Sequence, residues 1–108
     1  MSNKIRMNDL LDYYGGLLTE RKQDLCRYYY REDLSMQEIA DLEGISRAAV
    51  SDTIRKCEAE LEKYERILKC VRAAELRNAV YRRMEHDPSC ELYLQQLKET
   101  ELIGGEYE

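Results

Sequence analysis

Residues 35–56 of the chain read SMQEIADLEGISRAAVSDTIRK, and they decide the fold. Ser35 and Glu38 form a capping-box pattern, in which the hydroxyl accepts from the amide of the third helical residue and the glutamate bonds back to the cap. This pattern predicts a short helix over residues 36–43. Gly44 then ends the helix, because glycine readily adopts the positive φ that a helix C-terminus often requires.

The residues around this turn have the size and polarity that are needed where two helices cross at close distance. Ser46 is a good N-cap for a second helix. Ala40 is small enough for the two backbones to approach, and Ile45 fills the space between the helices. Val50 and Ile54 pack the second helix onto the first. The spacing predicts a helix-turn-helix, although two ordinary helices joined by a glycine turn fit the same pattern.

The rest of the chain is also helical in pattern. Helices are predicted over residues 5–18, 20–32 and 88–102, and the two glycines at 15 and 16 weaken the first of them. Five glycines and one proline leave too few turns for a sheet protein. The sequence therefore predicts an all-α fold.

The second helix of the motif continues as a long helix with a regular apolar seam. The seam residues recur at alternating spacings of four and three, as in a coiled coil: Val50, Ile54, Cys57, Leu61, Tyr64, Leu68 and Val71. Because the first half of the seam must pack the helix-turn-helix, only residues 64–71 are left for a homodimer interface. The apolar period fails at Glu75 and Asn78, which predicts a bend or break near residues 73–75.

The length of 108 residues fits one domain. We predict a helix-turn-helix domain over residues 1–62 and a helical extension over residues 63–108 that packs as part of the same domain. In the last helix, Leu92, Tyr93 and Leu97 are expected to face inward.

Composition excludes several classes of protein. No window approaches the roughly 18 consecutive apolar residues of a membrane span, and residues 1–10 lack the apolar core of a signal peptide. The four cysteines have no CxxC spacing and His86 is the single histidine, so we expect no metal, no cofactor and reduced thiols in the cytoplasm. The same inventory offers no catalytic constellation, so we expect no enzyme.

The second helix of the motif offers candidate DNA contacts. Arg47 and Ser51 lie where a recognition helix enters the major groove, and Arg55 and Lys56 are placed to hold phosphates. Asp52 opposes this reading, because a carboxylate repels phosphate and accepts only from a few base donors. Residues 19–45, which form the helices before the turn, also carry a net charge of −3, and this predicts weak DNA binding by a monomer.

A larger supply of cations lies further along the chain. Lysines and arginines recur every three to five residues, with Arg82 and Arg83 beyond them: Lys63, Arg66, Lys69, Arg72 and Arg77. Such a stripe suits RNA phosphates or an acidic protein surface. The alternative is a solvated helix face with internal pairs such as Glu62–Arg66 and Glu65–Lys69.

Two further features allow two interpretations each. The tyrosines at 28–30 suit a stacking platform for bases, but three adjacent helical residues span about 200°, which favours core packing. The acidic tail, with Glu99, Glu101, Glu106 and Glu108, suits either an autoinhibitory segment that folds onto the basic stripe or a solubilising end.

Several segments of this sequence resemble the YlxM family of small bacterial proteins. The segments are Leu18-Thr19-Glu20, Arg27-Tyr28-Tyr29-Tyr30, Glu32-Asp33-Leu34-Ser35, Glu38-Ile39-Ala40, Ile45-Ser46-Arg47, Ala49-Val50, Asp52 and Ile54-Arg55-Lys56. The last 35 or so residues match only in helical character. Residues 19–60 more distantly resemble the promoter-reading region of bacterial sigma factors, but Glu43 stands where that group usually has an apolar residue.

The resemblance implies an all-α, non-enzymatic protein encoded near the genes of the signal recognition particle. It also implies a role in that pathway, through contact with the particle's RNA, its GTPase or both. A dimeric DNA-binding transcription regulator and a module that binds only protein are the alternatives.

Overall fold

A computed structural model describes residues 2–102, with side chains from residue 4 onward. Six α-helices follow one another in this part of the chain: α1 (Ser2–Tyr14), α2 (Glu20–Cys26), α3 (Met36–Glu43), α4 (Arg47–Leu68), α5 (Cys70–Met84) and α6 (Glu91–Thr100). Short 3₁₀ turns precede α2 and α6, and a π turn follows α2. The described residues include no strand, and the predicted all-α fold is confirmed.

The contacts divide the chain into two compact units, Met1–Val71 and Arg72–Glu108. Residues 63–71 of the predicted extension belong to the first unit. Within the described residues, no helix has the length and apolar character needed to cross a membrane.

The first unit has one apolar core to which α1 to α4 all contribute. Its buried residues are Met7, Leu10, Tyr14, Leu18, Leu25, Cys26, Tyr30, Ile39, Ala40, Val50, Ile54, Cys57, Leu61 and Val71. Helix α4 is the central element, because it packs against α1, α2 and α3. Complete burial of one large aliphatic side chain stabilises the fold by about 1.5–3 kcal/mol.

The turn between α3 and α4 has the predicted helix-turn-helix geometry. Gly44 lies in the left-handed region at φ 69°, and the amide of Ile45 donates to the carbonyl of Ala40 at 3.1 Å. Both bonds of the capping box form between Ser35 and Glu38, at 2.8 and 3.0 Å. The hydroxyl of Ser46 caps α4 by accepting from the amide of Ala49.

The second predicted helix extends to Arg31, close to the predicted end at residue 32, but its last five residues, Arg27–Arg31, form a π turn instead of α-helix. The wider turn is closed by the amide of Glu32, which donates to the carbonyl of Arg27 at 2.9 Å. It places Tyr30 in the core, and Asn8 donates to the carbonyl of Tyr30. This burial confirms the core interpretation for Tyr30.

The neighbouring tyrosines do not form an open stacking platform. Tyr28 and Tyr29 are half-buried against the core. The charged group of Arg27 lies 4.9 Å from the Tyr28 ring centre, and that of Lys4 lies 4.7 Å from the Tyr29 ring centre.

The break in the long helix is at Lys69, so the prediction of residues 73–75 is wrong. Lys69 adopts a left-handed conformation at φ 57° and separates α4 from α5. As a result, Leu68 leaves the predicted seam and is 54% exposed, while Glu65 takes its place and is only 7% exposed.

A buried hydrogen-bond network explains the position of this break. The hydroxyl of Tyr14 donates to the Glu65 carboxylate at 2.6 Å and accepts from the amide of Cys70 at 2.9 Å. The amide of Val71 donates to the same carboxylate at 3.0 Å. Two amides of the first turn of α5, which lack partners within a helix, are thereby satisfied from α1 and α4.

Part of the candidate homodimer interface, residues 64–71, is buried within the first unit and is not available to a second copy of the chain. The ring of Tyr64 packs 6.0 Å from that of Tyr14, and Val71 is buried in the core. Ile67 and Leu68 are exposed.

The second unit buries a different face of the last helix from the one predicted. Leu94 and Tyr81 are buried, whereas Leu92, Tyr93 and Leu97 are exposed. The predicted apolar face is thus the exposed side of α6, which begins at Glu91 after a 3₁₀ turn at Pro88–Cys90.

Replacing Gly44 with alanine tests the turn. A side chain at positive φ costs about 1–2 kcal/mol, so Gly44→Ala should lower the free energy of unfolding by about that amount, measured by urea titration. Gly16→Ala is the matched control, because Gly16 lacks a positive φ and no atom lies within 4 Å of the added methyl. Equal effects of the two substitutions would contradict the explanation.

Tyr14→Phe tests the network at the break. The substitution removes a donor from the buried Glu65 carboxylate and an acceptor from the Cys70 amide, which should cost about 1–3 kcal/mol at pH 7. Tyr13→Phe is the control, because Tyr13 lies next in sequence with an exposed ring. A loss no greater than that of the control would contradict the assigned role.

The wild type and the Tyr14→Phe variant should also differ in the pH dependence of their stability in alkaline solution. Burial, followed by the bond to Glu65, raises the pKa of the Tyr14 hydroxyl above its ordinary value near 10. The neutral hydroxyl therefore stabilises the fold fully below pH 10, and this contribution is lost as the pH rises further. Above pH 10 the free energy of unfolding of the wild type should therefore fall more steeply with pH than that of Tyr14→Phe, measured by urea titration at each pH.

Candidate nucleic-acid interface

Helix α4 presents one long solvent-exposed face. Its 22 residues extend about 33 Å at 1.5 Å per residue. The buried row from Val50 to Leu61 faces the other helices. The opposite side, here called the outer face, consists of Ala48, Asp52, Arg55, Lys56, Ala59, Lys63 and Arg66. Four of its seven residues are cationic and one is anionic.

The glutamates of α4 bond to residues elsewhere in the first unit. The bonds are Glu58 to Tyr30, Glu60 to Lys22 at 3.0 Å, Glu62 to Arg6 at 2.9 Å and Glu65 to Tyr14 at 2.6 Å. The hydroxyl of Tyr64 and then Lys22 hold the pKa of the Glu60 carboxyl below its ordinary value. The expected pairs Glu62–Arg66 and Glu65–Lys69 are not formed.

The far end of the outer face therefore has exposed cations that form no ion pair with these glutamates. Lys63 and Arg66 are exposed on the last turns of α4, and Lys69 is exposed at the break. None of the three makes an ion pair within the described part of the chain. Together they form a compact cationic end, here called the basic end.

The near end of the outer face has a different electrostatic character. Arg47 is exposed at the first residue of α4, and Ser51 lies half-exposed one turn further. Asp52 lies 3.6 Å from Arg55 and 3.1 Å from Lys56. The predicted DNA contacts are thus on one surface, but two of the three cations share one carboxylate.

The predicted basic stripe over residues 63–77 is divided between two helices by the break at Lys69. Arg72 and Arg77 lie on α5, beyond the break. Arg72 pairs with Glu75 at 3.4 Å, and Arg77 pairs with Glu101 at 3.0 Å. Both predicted site residues thus pair with carboxylates of the second unit.

Within the described residues, the acidic tail contacts the predicted basic stripe at one point, the pair of Glu101 and Arg77. Glu101 accepts from Arg77 and from the hydroxyl of Tyr81 within the second unit. Glu106 and Glu108 lie outside the described residues.

The described residues contain no group of three or more histidine, cysteine, aspartate or glutamate side chains arranged to hold a metal ion. All four cysteines are free, and Cys26 and Cys57 are buried. The chemistry available on the outer face of α4 is therefore that of charge and hydrogen bonding.

Comparisons with known proteins show that the chain matches one protein family and is similar to several bacterial proteins. The family described as "Putative helix-turn-helix protein, YlxM / p13 like" matches residues 1–101. The UPF0122 protein of Shouchella clausii is 45% identical over 80 residues, which cover 74% of this chain and 73% of the relative. That of Malacoplasma penetrans is 40% identical over 94 residues, which cover 86% of this chain and 83% of the relative.

A third relative has a shorter match of higher identity. The UPF0122 protein of Symbiobacterium thermophilum is 53% identical over 68 residues, which cover 63% of this chain and 64% of the relative. The match thus spans a little less than two thirds of that protein.

Proposed function

We propose a function from one premise: the chain belongs to the YlxM/p13-like helix-turn-helix family. This membership confirms the resemblance drawn from the sequence. The proposal is that the protein is a non-enzymatic accessory of the bacterial signal recognition particle, which acts in the cytoplasm and binds the particle's RNA through the basic end of α4.

One observation carries this proposal: Lys63 and Arg66 are exposed on one helix face while the neighbouring glutamates bond elsewhere. Exposed cations without carboxylate partners are available to neutralise phosphates, and phosphate neutralisation supplies most of the sequence-independent affinity for nucleic acid. Lys69 adds a third cation at the same end.

The position of these cations favours RNA over duplex DNA. A DNA-reading helix-turn-helix inserts the N-terminal residues of its second helix into the major groove, and Asp52 lies in that half of α4. Lys63 lies about 16 Å further along the helix axis. Double-stranded RNA is bound mainly through its shape, phosphates and 2′-hydroxyls, which a cationic helix end can contact without entering a groove.

Removal of the cations at the basic end tests the proposal. Lys63→Ala combined with Arg66→Ala should weaken binding to signal recognition particle RNA at least tenfold at about 150 mM salt. The slope of log affinity against log salt should become shallower by about 1.5, because two phosphate contacts are lost. Fluorescence anisotropy with labelled RNA measures both quantities.

Arg21→Ala combined with Lys98→Ala is the matched control. It removes the same charge, but the two residues lie on α2 and α6, where Arg21 pairs with Glu43 and Lys98 with Glu85. An equal loss in the control, or no loss in the test variant, would contradict the assigned role. Binding of the wild type to the GTPase but not to the RNA would replace RNA by protein as the partner.

A DNA-binding transcription regulator is the second candidate, and the exposure of Arg47 at the start of α4 favours it. In that function, a dimer would read two half-sites about 34 Å apart. Arg47→Ala combined with Arg55→Ala should then weaken operator binding by tenfold or more, measured by anisotropy on duplex DNA. Intact operator affinity in this variant would exclude the regulator.

A module that binds only protein is the third candidate, since a fold does not fix a function. It requires that the wild type bind neither RNA nor duplex DNA at physiological salt.

A further inference from the structure

Asp52 differs from every other acidic residue of α4. The four glutamates of this helix each bond to a residue of α1, α2 or the π turn. Asp52 instead pairs with two cations of its own helix, at 3.6 Å from Arg55 and 3.1 Å from Lys56. It is the anionic residue of the outer face.

These pairs contribute little to the stability of the fold. The side chains of Arg55 and Lys56 are 71% and 67% exposed, and that of Asp52 is 51% exposed. Exposed ion pairs of this kind are screened by water and salt. Asp52 is also the sixth residue of α4, beyond the first turn where an acidic side chain favours the helix dipole.

The charge of Asp52 acts on the near end of the outer face and not on the basic end. Lys63 is eleven residues further along α4, or about 16 Å at 1.5 Å per residue. This distance is about twice the Debye length at physiological salt, so interaction between the two exposed charges is largely screened. The two ends are therefore electrostatically separate.

We propose that Asp52 is a specificity-determining residue that prevents the near end of α4 from binding duplex DNA. It pairs with both Arg55 and Lys56, offsets one of their two positive charges, and presents a carboxylate where a recognition helix meets phosphates and base edges. Binding is thereby confined to the basic end. That this selectivity favours RNA over duplex DNA rests on the proposed RNA-binding function.

Asp52→Asn tests this inference because it removes the carboxylate and leaves a side chain of the same size. Affinity for a mixed-sequence duplex DNA should rise about tenfold or more at about 150 mM salt. The salt dependence should steepen by about 1.8, as Arg55 and Lys56 become free to contact two phosphates. Affinity for signal recognition particle RNA should change by less than about threefold.

Two control variants separate this effect from a change in net charge. Asp12→Asn also removes one carboxylate and frees one arginine, since Asp12 pairs with Arg31 at 2.8 Å, but it lies on α1. Asp52→Glu keeps the charge and should bind duplex DNA like the wild type. The thermal unfolding midpoints should confirm that all three variants fold.

The outcomes separate this inference from the proposed function. Unchanged DNA affinity in Asp52→Asn, or an equal gain in Asp12→Asn, would overturn the role of Asp52. An equal gain for RNA and DNA would overturn the selectivity. Absence of RNA binding by the wild type would refute the proposed function and the direction of selectivity, while the DNA measurement would still decide whether Asp52 blocks duplex binding.

Discussion

The burial of one apolar row on α4 is the constraint on which the rest of the first unit depends. Val50, Ile54, Cys57 and Leu61 are all buried against the helices that precede them in the chain. Since an α-helix has a fixed period of 3.6 residues, burial of this row fixes which side chains face outward. The position of the cations on the outer face is therefore a consequence of core packing.

Burial of a charged residue then decides where that face ends. The seam would continue through Leu68, but Glu65 is buried instead, and a buried carboxylate requires hydrogen-bond donors. Tyr14 and the amide of Val71 supply them, which requires the chain to leave α4 at Lys69. One local network thus separates Arg66 from Arg72 and divides a stripe that is continuous in the sequence.

The sequence predicts the features that depend on neighbouring residues and misses those that depend on distant ones. The capping box, Gly44 and Ser46 act within three or four residues, and the structure has all of them as predicted. The partners of Glu62 and Glu65 are Arg6 and Tyr14, more than fifty residues away. The i,i+4 spacing alone therefore predicts ion pairs of these glutamates with Arg66 and Lys69, because the local pattern contains no sign of the distant partners.

This difference also determines how the candidate interface is interpreted. Had Glu62 and Glu65 paired along α4, its far end would be a neutral solvated face, and only the N-terminal half would offer charge to a ligand. Their contacts with α1 instead leave Lys63 and Arg66 outside the ion pairs of α4, although Glu60 still attracts Lys63 from a longer distance, while Asp52 remains beside Arg55 and Lys56. The same helix that positions a DNA-reading motif thus has two exposed cations outside ion pairs, Lys63 and Arg66, at the opposite end, against Arg47 alone at the near end. The helix-turn-helix fold alone consequently does not determine which nucleic acid is bound, and the distribution of carboxylates along α4 is the feature from which we infer RNA.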